Sequence, residues 1–144
     1  MLTRPEFKLL KAGDEAVLQA VAPDVFDDPI DPAAAAEFLA DPRHHIAVAI
    51  DEGVVVGFVS AMHYVHLDKP MPELWINEVS VAETHRRQHI GRRMLDMMLS
   101  QAIRLGCSEA WVLTHRTNQA AMRLYASCDG IAADEDAVMF EFNL

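Results

Sequence analysis

The strongest constraint on the fold of this chain is a change of hydrophobic period within residues 75–105. The segment WINEVSV, residues 75–81, has the β-branched and aromatic content of a strand. From Ile90 onward the apolar residues recur at helical spacing, and Gly106 supplies a left-handed stop. The segment therefore predicts a strand, a short loop and a helix, around which the other elements are arranged.

Alternation along the predicted strand assigns its side chains to two faces of a sheet. Trp75, Val79 and Val81 have one parity, and Glu78 has the other. A carboxylate in the middle of a strand is either held by hydrogen bonds within the sheet or available for chemistry. Both interpretations of Glu78 stay open at this point.

Several cations and a small residue lie between the strand and the helix. Backbone N–H groups at a helix start are unpaired and attract anions, and nearby arginines add charge-assisted hydrogen bonds. The pattern is typical of a phosphate cradle, although a solvated basic helix start would have the same residues. The cradle would consist of Arg86, Arg87, Gln88, His89, Ile90, Gly91 and Arg92.

Length and charge limit the class of protein. The 144 residues, 51% hydrophobic and 24% charged, predict a single globular domain over residues 1–144 with its own core. The formal net charge of −10 argues against nucleic acid and anionic membranes as partners, because both need a basic surface. It suits a cationic small molecule, or it serves solubility alone.

Cysteine and histidine usage predicts no metal site. Cys107 and Cys128 lack metal-ligand spacing and a disulfide framework, and no zinc set forms around His63 and His66. The sequence has no run of about 18 apolar residues and no pattern of a secretory leader. We therefore expect a soluble, cytoplasmic protein with core thiols and ordinary histidines.

The other elements follow from hydrophobic runs and breakers. Asp51-Glu52-Gly53 predicts a hairpin turn, Asp14 a possible helix cap, and Asp31 with Pro32 a helix start. The predicted elements are strand 6–10, a helical stretch 16–25 interrupted at Pro23, helix 33–40, strands 44–50, 54–64 and 75–81, helix 90–105, strand 110–114, a helix capped by Thr117 or Asn118, and strand 137–142.

An acidic loop lies between the first two helical stretches. Asp27 and Asp28 belong to the proline-rich segment FDDPIDP, residues 26–32. Their carboxylates could hold the ammonium groups of a substrate, while turn formation alone also explains aspartate before proline.

The loop before the long helix resembles a known family. The segment VSVAETHRRQHIGRRML is similar to the acetyl-CoA-binding signature of the GNAT superfamily of N-acetyltransferases, usually Gln/Arg-x-x-Gly-x-Gly/Ala after a hydrophobic strand. Arg86 takes the first place of the signature and Gly91 the last. His89 stands where the first glycine is usual.

A second motif of the same superfamily follows at the expected distance. The segment from Asn118 to Tyr125, N-x-x-A-x-x-L-Y, resembles the pattern in which the asparagine contacts the pantetheine arm and the tyrosine lies close to the sulfur. Gly130 follows Tyr125 one residue later than is usual. The segments FDDP, ELWINEVSV and AVMFEF further resemble aminoglycoside 3-N-acetyltransferases.

The resemblance implies a fold over nearly the whole chain. It is the GNAT fold, an α/β (α+β) domain with a mixed, mostly antiparallel twisted sheet of about six to seven strands and about four flanking helices. The co-substrate would be acetyl-CoA. Backbone groups of Val79 and Val81 would bind the pantetheine amides, and N–H groups of residues 86–91 the diphosphate, with a side-chain contact from Arg87 or Arg92.

The implied chemistry needs a base and an acid. A free amine has a pKa near 10.4 and is mostly protonated at neutral pH. Glu78 would accept its proton, with its own pKa raised toward about 7 by burial, and Glu73 is the fallback, acting directly or through water. Tyr125 would protonate the departing thiolate, unless it is only a half-buried helix residue. The Val79 N–H would stabilise the charge on the carbonyl oxygen.

The sequence therefore predicts an acetyl-CoA-dependent N-acetyltransferase acting on a primary amine of a cationic small molecule, with Asp27, Asp28 and Glu73 on the substrate side. Aminoglycosides and polyamines are candidates. A protein or peptide amine as acceptor, and a non-catalytic acyl-CoA-binding regulatory domain, are the alternatives. A dinucleotide site is excluded because Gly91 alone does not make a glycine-rich turn. The apolar terminal strand could pair two chains in a homodimer.

Overall fold

A computed structural model of the protein describes residues 4–144 and contains one five-stranded sheet. The strands are β1 (Glu6–Leu9), β2 (His44–Asp51), β3 (Val54–Tyr64), β4 (Glu73–Val81) and β5 (Glu109–Val112). The helices are α1 (Pro32–Ala40), α2 (Ile90–Arg104) and α3 (Gln119–Ser127), with 3-10 helices at Glu15–Gln19 and Glu83–His85. The predicted mixed α/β fold is confirmed, with fewer strands than the six to seven expected.

The sheet is antiparallel from β1 to β4, whereas β5 runs parallel to β4. Helix α2 makes the crossover between these last two strands, because parallel neighbours cannot be joined by a tight turn. Their pairing begins at Glu73 with Glu109 and ends at Ile76 with Val112. Residues 77–81 of β4 therefore extend beyond the end of β5.

A β-bulge at Asn77 divides β4 into two halves. Ala61 of β3 pairs with Ile76, and Ser60 pairs with Glu78, so that Asn77 is the extra residue between them. Because side chains alternate along a strand, one extra residue exchanges the faces of everything that follows it.

The predicted parity of this strand is therefore wrong beyond the bulge. Glu78 shares a face with Trp75, and Val79 shares the opposite face with Ile76. A bulge cannot be recognised from the alternation of hydrophobic residues when the residues on both sides of it are compatible with either face. For this reason the sequence pattern did not reveal the bulge at Asn77.

Helix α2 covers one face of the sheet with the apolar stripe that the sequence predicted. Its buried residues are Ile90, Met94, Leu95, Met98 and Ala102. Gly57 of β3 allows the close contact, because a Cβ there would lie 2.9 Å from the Met94 Cε atom and 3.0 Å from the Ser80 carbonyl oxygen.

On the other face of the sheet, Phe58 stacks on Phe26, with ring centroids 4.1 Å apart. Each fully buried apolar side chain of this size contributes about 1.5–3 kcal/mol.

The first helical stretch is shorter than predicted. It forms only the 3-10 helix Glu15–Gln19, and Asp14 does not cap it, because its carboxylate accepts a hydrogen bond from the Lys11 N–H and pairs with Lys8. Helix α1 begins as predicted, with the Asp31 carboxylate accepting from the Ala33 N–H at 3.0 Å. Gly106 has the left-handed φ of 80° expected after α2.

The C-terminal arm, residues 131–144, contains no strand, so the predicted strand 137–142 is wrong. Its even-numbered apolar residues from 138 onward have one parity and are exposed by 77%, 81%, 84% and 119%; they are Val138, Phe140, Phe142 and Leu144. Arg116 pairs with Asp136 at 3.3 Å. The alternating pattern is that of a strand, but within the described part of the chain these residues pair with no other strand.

Within residues 4–144 no helix is long and apolar enough to cross a bilayer.

Candidate active site

The C-terminal half of β4 has an open edge where β5 ends. The Ala82 N–H donates to the Val56 carbonyl at 2.8 Å, which fixes the alternation of hydrogen-bonded pairs between β3 and β4. Glu78 and Ser80 therefore bond to β3, and the N–H and C=O groups of Val79 and Val81 point away from it. This is where the predicted pantetheine contacts lie.

One of these edge groups already has a partner. The Arg86 Nε atom donates to the Val81 carbonyl at 3.2 Å. The Val81 carbonyl is therefore engaged by Arg86, the first arginine of the signature. The other predicted backbone contacts face the open edge of β4; they are the N–H groups of Val79 and Val81 and the Val79 carbonyl.

The loop that leads to α2 is held by hydrogen bonds from distant parts of the chain. Asp24 accepts from the Glu83 N–H at 2.7 Å, and Asp51 lies 2.7 Å from His85 Nε2. The other ring nitrogen of His85 lies 2.7 Å from the Thr84 hydroxyl. The loop therefore has a fixed position relative to the turn between β2 and β3.

Two residues of the cradle have left-handed backbones. His89, at the N-cap of α2, has φ 61° and ψ 20°, and Arg87 has φ 62°. A side chain in this region costs about 1–2 kcal/mol, which is why glycine is favoured there. The position where His89 replaces the usual glycine is thus a position that needs a left-handed conformation.

The side chain of His89, the N-cap residue, does not cap α2, and the first N–H groups of the helix face the loop without intrahelical partners. Arg86, Arg87 and Arg92 are exposed around this helix start, and Gln88 is half-buried. The arrangement can attract an anion through both the backbone and the side chains.

Gly91 lies against side chains of the protein itself. A Cβ at this position would lie 3.5 Å from Leu124 Cδ2 and 3.7 Å from Val81 Cγ2, which are ordinary contact distances. The absent side chain would point towards α3 and β4, so Gly91 lies at a packing contact between the two parts of the predicted cofactor site.

Asn118 and Tyr125 lie at the start and near the end of α3. The Asn118 Oδ1 atom accepts from the Ala121 N–H at 3.1 Å, which confirms the predicted cap. Its amide NH₂ group is not used by this bond. Tyr125 is half-buried, and burial raises the pKa of its phenol. It is therefore a protonated donor at neutral pH.

The longer spacing from Tyr125 to Gly130 is accommodated at the end of α3. Asp129 adopts a left-handed φ of 66°, and the Gly130 N–H donates to the Tyr125 carbonyl at 2.9 Å. A Cβ on Gly130 would lie 2.7 Å from that carbonyl oxygen, so only glycine fits.

The candidate acceptor pocket, called the acceptor pocket below, is a cavity of about 450 Å³ between the sheet and the segment that includes α1. It brings together Glu78, Asp27 and Asp28, three residues that the sequence singled out. Its full lining is Leu18, Phe26, Asp27, Asp28, Pro29, Ile30, Asp31, Ala34, Ala35, Phe38, Ile46, Phe58, Ser60, Asn77 and Glu78. The bulge at Asn77 is what turns Glu78 towards this cavity.

Glu78 is exposed rather than buried. The burial that we expected for this carboxylate is therefore not found in this structure. Its oxygens are accessible at the wall of the cavity.

Glu73, the alternative base, does not line the acceptor pocket. Burial opposes ionisation of this carboxyl, but hydrogen bonds from His66 and Tyr64, with the charge of Lys69, lower its pKa overall. The Glu73 oxygens lie 3.1 Å from the Tyr64 hydroxyl and 3.2 Å from His66 Nε2. The carboxylate is thus occupied by residues of its own chain.

Sequence reasoning missed the residues that act through tertiary contacts. Ser60 and Asn77 line the pocket, while Asp24, Asp51 and His85 position the cradle loop. Short polar side chains in strands and turns have many roles, and no local signal distinguishes these. Within the described residues no group of three or more His, Cys, Asp or Glu side chains could hold a metal ion.

Several of the solved structures similar to this one are acetyltransferases by name. An aminoglycoside acetyltransferase from an uncultured soil metagenomic sample, crystallised with sisomicin, has a TM-score of 0.77 at 20% identity, covering 97% of this chain and 96% of its own. The aminoglycoside N-acetyltransferase AAC(6')-Iy with a bisubstrate analogue of CoA has a TM-score of 0.78 at 15% identity, with 99% and 100% covered.

The name of a third similar structure indicates a different kind of acceptor. It is a ribosomal-protein-alanine N-acetyltransferase from Brucella melitensis, with a TM-score of 0.72 at 20% identity, covering 96% of this chain and 100% of its own. At these identities the likeness establishes the fold. No curated protein matches the sequence. The family described as Acetyltransferase (GNAT) family matches residues 15–129, which is most of the chain. The protein therefore belongs to the GNAT family of acetyltransferases.

Proposed function

We propose that the protein transfers the acetyl group of acetyl-CoA to a primary amine of a cationic small molecule. The observation that supports this most is the meeting of two features on β4. The open edge at Val79 and Val81 directly follows Glu78, which lines the acidic acceptor pocket. A thioester bound along the edge and an amine in the pocket would thus meet beside one carboxylate.

The chain offers a continuous set of groups for coenzyme A. The N–H groups of Val79 and Val81 can donate to the pantetheine amides, and the amide NH₂ of Asn118 can add a contact. The first N–H groups of α2 and the arginines beside them suit the diphosphate. A neutral, extended arm and a doubly charged phosphate pair are the chemistry that this edge and this helix start can recognise.

The side chains then have separate roles in the transfer. Glu78 accepts a proton from the substrate ammonium, whose nitrogen forms the new C–N bond as the C–S bond breaks. The Val79 N–H donates to the carbonyl oxygen, where negative charge develops. Tyr125, whose pKa is raised by burial, donates its proton to the departing sulfur. The nitrogen of the new amide loses its second proton to solvent, and solvent returns a proton to the Tyr125 oxygen.

Binding of coenzyme A is the first test. Titration calorimetry should give a measurable heat for CoA, and the cofactor should raise the melting temperature, because a ligand of the native state stabilises it. If neither heat nor thermal protection is observed, the acetyltransferase proposal fails.

Release of the free thiol with a panel of amines is the second test. Aminoglycosides belong in the panel because two structural neighbours are aminoglycoside acetyltransferases. A peptide with a free N-terminus belongs there because another neighbour is a ribosomal-protein-alanine N-acetyltransferase. Acetylation of small amines above the peptide would support the proposal, and the reverse order would replace it with a peptide substrate. CoA binding with no thiol released by any amine would favour a non-catalytic acyl-CoA-binding domain.

We further propose that the C-terminal arm pairs with a second copy of the chain. Strand β5 lies at the edge of the sheet, and its outer side has no neighbouring strand within residues 4–144. Leu113, just beyond β5, is 61% exposed, and Ile103 on α2 is 78% exposed. Two chains that exchange their arms onto each other's β5 would cover the Phe140 and Phe142 side chains and close with two-fold symmetry.

Sedimentation equilibrium tests the dimer. Full-length protein should be a dimer, and Phe140→Lys should shift it towards monomer, because it places a charge on the apolar side of the arm. Asn143→Lys, on the other parity, is the matched control and should leave the mass unchanged. A monomeric full-length protein at all concentrations would contradict arm exchange.

A further inference from the structure

One buried hydroxyl in the acceptor pocket has no hydrogen-bond partner. Ser60 is 7% exposed, and its Oγ atom lacks a partner among the described residues. It pairs with Glu78 across the two strands, and both residues line the pocket. Because a buried polar group without a partner destabilises the free protein, this hydroxyl points to a ligand that supplies the missing hydrogen bond.

The wall next to Ser60 is apolar. Phe58 is 1% exposed, stacks on Phe26 with an interplanar angle of 18°, and lies beside Ile46, which is 5% exposed. The pocket residues without a polar side chain are Leu18, Phe26, Pro29, Ile30, Ala34, Ala35, Phe38, Ile46 and Phe58. A ligand with many hydroxyl groups would leave most of them unpaired against this wall.

The carboxylates are placed around the wall rather than within it. Asp27 and Asp28 are exposed, and the Asp31 carboxylate caps α1. They give the pocket a negative potential that attracts a cation, without providing hydrogen-bond partners deep inside. The polar groups that line the sheet side are Ser60, Asn77 and Glu78.

We propose that the preferred acceptor is a primary amine attached to an apolar, preferably aromatic, body. This inference rests on the proposed acetyl transfer. The ammonium donates hydrogen bonds to the Glu78 carboxylate and to the Ser60 Oγ atom, and the apolar body contacts Phe26 and Phe58. When Glu78 takes one proton, Ser60 still accepts from the amine N–H and holds the nitrogen lone pair towards the thioester.

The acceptor class is tested by comparing kcat/KM for three amines at saturating acetyl-CoA. We expect 2-phenylethylamine to exceed spermidine and sisomicin by at least about tenfold, because the apolar wall favours its ring and leaves the hydroxyls of sisomicin unpaired. Equal or higher values for spermidine or sisomicin would overturn the inference and leave the proposed function intact.

Ser60→Ala tests the role of the hydroxyl. The KM for 2-phenylethylamine should rise about tenfold, the KM for acetyl-CoA should not change, and the melting temperature of the free protein should stay the same or rise. Ser100→Ala, at an exposed position of α2, is the control and should alter none of these. An unchanged amine KM, or a lowered melting temperature with both KM values raised, would contradict the proposed contact.

Binding separates the two proposals if no amine is acetylated. Calorimetry of 2-phenylethylamine with the CoA-loaded protein should still give heat that Ser60→Ala reduces, which would support the ligand class while the transfer reaction fails. Absence of heat with the unaltered protein would overturn the inference as well.

Discussion

The two sides of β4 differ in how their groups are held. On the proposed cofactor side, the loop from Glu83 to Gly91 is fixed by bonds from Asp24 and Asp51, and the groups proposed to bind the cofactor are backbone amides. On the acceptor side, Glu78 is exposed and Ser60 lacks a partner within the described residues. The first side is preorganised by the fold, whereas the second contains side chains that a ligand has to satisfy.

This difference has a consequence for substitutions. Changes on the cofactor side should act through the position of the backbone and alter the KM for acetyl-CoA. Changes on the acceptor side should act through individual side chains and alter turnover or the choice of amine. Substitutions on each side therefore show whether the two sides can be separated in this way.

The largest effect is expected for Glu78→Gln. Removal of the base should lower kcat by about 10²–10⁴-fold with little change in the KM for acetyl-CoA, because the amide cannot accept the proton. Steady-state thiol release measures both constants. Glu37→Gln, at an exposed position of α1, is the control. Full activity of Glu78→Gln would show that another group, or water, is the base.

Tyr125→Phe should have a smaller effect, about 10²-fold on kcat at most, because a thiol of pKa about 8.5 is a tolerable leaving group without assistance. The same assay measures it, and CoA calorimetry should show unchanged affinity. A loss of CoA binding instead would assign Tyr125 to the cofactor side as a packing residue.

Protein stability should fall at acidic pH because of His45, which belongs neither to the proposed cofactor site nor to the acceptor pocket. Burial, with the charges of His63 and His44, lowers the pKa of His45 to about 4 from 6.5. The unfolded chain therefore binds a proton in this window that the folded chain excludes, and on the order of 2 kcal/mol of stability, present above pH 6.5, is lost as the pH falls through 4.

Urea unfolding between pH 4 and 7 measures this loss. His45→Gln should flatten the profile, whereas exposed His115→Gln should not. An unchanged slope in His45→Gln would assign the acid sensitivity to other groups. Activity measured above pH 6.5 is then free of this effect.

Asp51→Asn should raise the KM for acetyl-CoA about tenfold and leave kcat nearly unchanged, because it weakens the contact that positions His85 and the cradle loop. Glu52→Gln, the next residue in the same turn, is the matched control. A fall in kcat with an unaltered cofactor KM would contradict the separation of the two sides.

The smallest effect is expected for Gly91→Ala. Its Cβ would meet Leu124 and Val81 at ordinary distances, and alanine is favoured over glycine in a helix by about 1 kcal/mol. The melting temperature should rise slightly and the CoA affinity should change less than about twofold. A marked loss of CoA affinity would mean that the ligand itself approaches this Cα.

The sequence predicted the local structure of the proposed cofactor side better than that of the proposed acceptor side. The signature from Arg86 to Gly91 and the pattern from Asn118 to Tyr125 are local, because a helix start and a helix cap are made by neighbouring residues. The hairpin and the apolar stripe of α2 were predicted for the same reason.

The errors arose where residues distant in sequence decide the structure. The bulge at Asn77 depends on the pairing of β4 with β3, and it reversed the predicted faces. The exposure of Glu78 and the environment of Ser60 depend on how the segment before α1 lies over the sheet. Residues 137–142 have the composition of a strand, but within the described chain they pair with no edge of the sheet.

The extra residue in β4 decides on which face of the sheet the Glu78 carboxylate lies. If the bulge were closed with Asn77 retained, Asn77 would pair with Ser60, and the glutamate side chain would be directed into the apolar layer beneath α2 instead of the cavity. The position of the proposed base thus depends on the register of one strand as well as on its residues, and a shift of one residue would turn the carboxylate away from the cavity without removing any acidic group.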